Sequence, residues 1–262
     1  MTSTVTPSNT QEFEGRMKTS RDFNSLYGRT QKGPTEIKDK ARADLKNKIL
    51  ATPAGRVMDP NMDEETLYQY ANQVSSLYDL QADNYFHSNF DGIMKELRES
   101  KKGGLEKIAG ADVLKANGGE KYQKVLVAAD GYNKALATYE AYKAGQIKDP
   151  EELTPLAVLG VQEEKEKIKK ELEGQGYNHE EADILTGLTS IAAKQGNLKK
   201  EYVDKGAEIL LEKSKEKFKE RMGEGKELSD YVVDVLGKMR SEGGEQFKQA
   251  RNLTYAALEA NK

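Results

Sequence analysis

No run of β-branched residues in this chain alternates with polar ones for long enough to specify a strand. Apolar residues recur instead three and four apart, between glycines and the steps Asp59-Pro60 and Asp149-Pro150. A chain patterned this way buries apolar side chains by packing helix on helix. Gly relaxes the backbone restriction just past a helix end, and Pro suits a first turn, where its missing N–H costs no hydrogen bond. Reading between these marks predicts an all-α fold of about eight helices in an irregular bundle, with two helical subdomains as an option. The stretch 35–51 shows the pattern plainly, with Ile37, Ala41, Leu45 and Ile49 recurring every four residues.

Composition sets how substantial that bundle is. Leu, Ile, Val and Phe make up only about a fifth of the chain, near the floor for a folded domain, while 32% of residues are charged. Acidic and basic residues number 44 and 41, so the net charge is only -3 and self-repulsion does not force the chain open. The expected product is a thin, wet, helix-rich structure. Without cysteine there is no disulfide scaffold, thiolate metal site or Cys nucleophile. The longest apolar runs, 126–129 and 156–161, fall far short of the roughly 20 residues a membrane helix needs, so membrane insertion is not expected. A pI near 5.7 argues against general nucleic-acid binding, which requires a net basic face; a local Lys-rich groove stays open. A cytoplasmic protein fits these features, and so does a virion component.

Residues 1–10, rich in Ser, Thr, Asn and Pro, offer no apolar face and are expected to form a short disordered tail. The weakest internal connection is 101–104, around Gly103-Gly104. A division there would give an N-terminal helical part, 11–102, and a C-terminal helical bundle, 105–262; a single continuous domain is the alternative.

Candidate chemistry is sparse, because the chain has only two histidines. Asp79, Asp83, His87 and Asp91 lie four apart, so they stack along one helix, and carboxylate with imidazole at that spacing can ligate a divalent metal or orient a His base. The apolar set Leu67, Ala71, Val74, Tyr78, Ala82 and Tyr85 falls on the opposite side, which predicts a solvated acidic row. Asn178 is expected to cap a helix whose acidic first turn suits the positive end of the dipole, which explains His179-Glu180-Glu181-Ala182-Asp183 better than a zinc motif lacking its second His. Asp59, Asn61 and Asp63 begin like a calcium loop but lack its Gly and closing Glu, and read as caps for the next helix. No cofactor site is expected.

The segment 120–144 carries a heptad seam, with Tyr122, Ala129 and Leu136 in one series and Val125, Tyr132 and Tyr139 in the other. Tyr hydroxyls tolerate a partly wet boundary, so the seam suits either a bundle edge or a second protein. Together these features predict a non-enzymatic structural, scaffolding or adaptor protein acting through protein surfaces, with a protein partner or homo-oligomer. Two other readings compete: a metal-binding protein or enzyme using the row at His87, and a nucleic-acid-associated protein with a Lys-rich groove.

Overall fold

The computed structural model describes residues 7–100, 102–196 and 199–262, the side chain of Glu163 excepted. The described residues form ten α-helices and one 3-10 turn, and no strand. The count is therefore eleven rather than about eight. The helices number α1 (Asn9–Gln31), α2 (Thr35–Leu50), α3 (Glu64–Glu99), α4 (Gly104–Ile108), α5 (Asp112–Lys143), α6 (Pro150–Gly174), α7 (His179–Lys194), α8 (Lys200–Met222), α9 (Leu228–Glu242) and α10 (Gly244–Glu259), with the 3-10 turn at Pro53–Val57. The 3-10 turn and α4, five residues each, are too short to show a period. No described helix is long and apolar enough to cross a membrane.

These elements gather into two compact units, one of Met1–Asn117 with Ser229–Lys262, the other of Gly118–Leu228. The chain enters the second unit within α5, where Gly119 breaks the helix at φ 70°, a conformation that favours glycine. In the 101–104 connection, Lys101 lies outside the described residues; Gly104 sits inside the first unit, buried so closely that an added Cβ would land on the Ala257 carbonyl of α10.

In the first unit, α1 packs along α3 and α2 and also meets α10. Phe23, Leu26, Ala41, Leu45, Ile49, Leu67 and Ala71 form one buried cluster. Further along, Phe13 stacks on Phe86 at 5.3 Å, and Phe86 meets Phe90 and Phe247 edge to face. Ile37 departs from expectation, at 52% exposed. Residues four apart advance about 40° around a helix beyond a full turn, so three such steps from Ile49 rotate Ile37 about 120° away from the core.

The tail expectation divides. Residues 1–6 lie outside the described residues, whereas Ser8 caps α1 in a reciprocal capping box with Gln11. Asn9 and Thr10 donate backbone hydrogen bonds of 2.9 Å each to the Glu96 carboxylate, which also accepts from the Asn9 amide and the Thr10 hydroxyl. Residues 8–10 are thus tied down by polar capping rather than by apolar burial.

The second unit is built on α6, which packs against both α7 and α8. Its crossing with α8 is made by two facing glycines: an added Cβ on Gly160 would strike the Tyr202 carbonyl, and one on Gly206 the Leu156 carbonyl. Backbone-to-backbone approach of this kind lets small side chains fill a core, and Ala128, Ala129, Ala135, Ala157, Ala182, Ala193 and Ala207 are all buried here beside Leu156 and Val161.

Candidate functional site

The Asp/His row of α3 is not one solvated face. Asp79 accepts a 2.5 Å hydrogen bond from Ser20 of α1, and Asp83 pairs at 2.5 Å with Arg251 of α10, whose side chain is 10% exposed. Both carboxylates are half-buried, while His87 and Asp91 are exposed. The four-residue spacing drifts around the helix, and Asn89 adds a kink at φ -117°, ψ 15°, where its amide donates to the Tyr85 carbonyl. The His87 carbonyl accepts from Arg240, and its ring lies 6.2 Å from Phe247. The described residues contain no group of three or more His, Cys, Asp or Glu side chains able to hold a metal ion. In the Asp59–Asp63 stretch, Asp63 caps α3 by accepting from the Thr66 amide at 2.7 Å, and that bond holds its carboxyl below its ordinary range.

The seam on α5 changes character along its length. Tyr122, Val125 and Ala129 are buried, whereas Tyr132, Leu136 and Tyr139 are half-buried. Burial pushes the Tyr122 hydroxyl up to about 12. Tyr132 stacks on Phe218 of α8 at 5.7 Å, so this part of the seam has a neighbour within the unit.

A cleft of about 650 Å³ opens beside the end of α5, lined among others by Tyr142, Lys143, Lys148, Leu153, Lys200 and Asp204. The Tyr142 hydroxyl donates to Asp204 at 3.0 Å. Burial, with Asp204 second, pushes that hydroxyl up to about 12, so it stays protonated at neutral pH. Lys143 lies 3.7 Å from both Asp204 and Glu208. The cleft combines apolar walls with a lysine, Lys143, shared between two carboxylates.

The most exposed apolar feature of this unit lies on α7. Ile184, Leu188 and Ile191 are 72%, 56% and 51% exposed. Spaced four and three apart, they form one stripe along the helix. The opposite side, through Ala182, Thr186 and Ala193, is buried. Asn178 and Glu181 form a capping box at the start of α7, as the cap reading of this segment expects. Lys169 of α6 fixes the helix from its flank, reaching Asp183 at 2.6 Å and His179 Nε2 at 3.0 Å. An ammonium only donates, so Nε2 accepts and Nδ1 carries its proton toward Glu173, 2.8 Å away. The hydrogen bond from Lys169 also holds the Asp183 carboxyl below its usual range. These contacts set the rotation of α7 and present its second apolar side outward. Sequence reading missed this stripe, although the signal was there: α7 has apolar residues on two sides of its wheel, more than one neighbouring helix covers. No protein-family model, curated protein or solved structure matches the chain.

Proposed function

We propose that this protein is a non-enzymatic helical structural or scaffolding component that works through protein–protein contact, with the outer face of α7 as its contact surface. The observation that carries this reading is the exposed stripe of Ile184, Leu188 and Ile191. Fully burying a side chain of this size is worth about 1.5–3 kcal/mol, and an apolar row held rigidly on a well-capped helix is a common mark of an interaction surface. The competing readings draw less support. Asp79 and Asp83 are committed to Ser20 and Arg251, and the cleft lysine Lys143 lies between two carboxylates.

The test is chemical cross-linking of the full chain in solution and in cell extract, comparing the parent with Leu188→Asp. An exposed side chain tolerates this change in the folded monomer, so circular dichroism should be unaltered while contacts through α7 disappear. Identical cross-linked species from both proteins would refute the reading.

A further inference from the structure

The stripe on α7 is symmetric about its own midpoint, since Ile184 and Ile191 lie equally far from it. A two-fold axis passing between Gly187 and Leu188 relates residues that are equally far from that point on two antiparallel helices. Ile184 of one copy then stands level with Ile191 of the other, since each lies three and a half residues from the axis. Leu188 stands beside Leu188 of the second copy, and Gly187 beside Gly187, because a two-fold axis keeps each flank of the stripe against its own counterpart. Gly187 leaves open space around it: an added Cβ would meet nothing within 4 Å, so the second helix can approach closely on that side. The stripe ends in opposite charges. Glu180 and Glu181 occupy the first turn and Lys194 the last, and antiparallel pairing sets Glu180 of one copy within about 1.5 Å, along the axis, of Lys194 in the other. Parallel pairing would instead bring acid against acid and lysine against lysine.

From this self-complementarity we infer that α7 pairs with α7 of a second copy of this chain, in a symmetric antiparallel dimer. The inference rests on the reading of α7 as a contact surface and names its partner. Every feature of the stripe is used twice: the isoleucines form the centre, the glycine and leucine flanks set the approach, and the charged ends fix the direction. The contact is a single pair of 16-residue helices, smaller than a standard stable interface. Association is therefore concentration-dependent rather than obligate.

Sedimentation of the full chain from about 1 µM to about 500 µM tests it, since a weak dimer populates across that range. The weight-average mass should rise from 29.2 kDa toward twice that value. Leu188→Asp should remain at the monomer mass throughout, with Ile184→Ser as a milder second variant. Direction is tested by charge exchange. Glu180→Lys or Lys194→Glu alone should weaken association about tenfold, by placing like charges together, and the double variant should recover most of the loss; each variant must first show the parental circular dichroism. A parent chain that stays monomeric at every concentration overturns the dimer, as does a double variant no better than either single one. If the parent is monomeric and Leu188→Asp still removes a cross-link to another protein, the contact surface stands and only its partner was misassigned. If neither effect is seen, both readings fail.

Discussion

Glu96 does at the start of the chain what no local residue can do alone. Its carboxylate receives the first amides of α1 together with the Asn9 and Thr10 side chains, joining the helix's positive end to the far end of α3. Burial by itself would raise this carboxyl, but the hydrogen bonds from Thr10 and Asn9 outweigh it and hold it below its usual range. Glu96→Gln should therefore cost about 1.5–3 kcal/mol at neutral pH, the range for hydrogen bonds to a charged group, measured by urea unfolding. The sign with pH follows from the lowered value. The stabilisation is complete above the unfolded-state value and is lost as pH falls through the folded one, so the gap between parent and variant should close as pH is taken below the ordinary carboxylate range. A gap unchanged at low pH would mean that the charge is not what matters. Residues 8–10 show why this was illegible in the sequence. Their polarity reads as disorder, because the partner that satisfies it lies 86 or 87 residues away. Asp63 and Asn178 were legible because the amides they cap are three residues on.

Glycines inside helices act in opposite ways depending on what faces them. Gly160 and Gly206 lie where α6 and α8 cross backbone to backbone, and Gly160→Ala or Gly206→Ala must push the helices apart. The expected cost is about 1–3 kcal/mol each, as for other overpacked cores. Gly28, inside α1, faces open space, and Gly28→Ala should stabilise by about 0.4–1 kcal/mol by restricting the unfolded chain. Thermal unfolding of the three variants checks the contrast, and a Gly160→Ala protein as stable as Gly28→Ala would refute the tight crossing. Most helix ends could be read from caps and glycines because both signals are local: Asn178 and Asp149 start helices as their chemistry requires. The glycine crossing and the outward side of α7 were not legible in the same way. A glycine in mid-helix looks like weak punctuation until the helix opposite it is known, and an apolar residue carries no sign of whether another element will cover it.

The division of the whole molecule is the least local feature of all. The first unit is discontinuous, completed only when α9 and α10 return to it after the second unit has been traversed. Arg251 meets Asp83 across 168 residues of sequence, and Phe247 joins the ring cluster of Phe13 and Phe86. Glycine spacing distinguishes Gly103-Gly104 from Gly118-Gly119 only weakly, because each pair punctuates helices and neither reveals which distant segment comes back to pack nearby. Both flanks of the break are held by contacts within the first unit: Lys238 of α9 reaches the Asn117 carbonyl at 3.4 Å, and Asp230 pairs with Arg98 at 3.3 Å. This arrangement makes Gly118–Leu228 an insertion, in sequence, between the two parts of the first unit. Expressed alone, that segment should be helical and unfold cooperatively, because α6 keeps both of its packing partners and the glycine crossing within it. The remainder, with Asn117 joined to Ser229 by a flexible Gly-Ser linker, should likewise fold, since the pairings of α1 with α2 and α3 and of α4 with α10 lie within it. Urea unfolding of the two pieces should give two sigmoidal transitions, each with a slope smaller than the whole chain would give as one cooperative block, in proportion to the surface each exposes. A segment 118–228 that is helical but melts without a cooperative transition would show that its alanine-rich core needs the first unit to hold together.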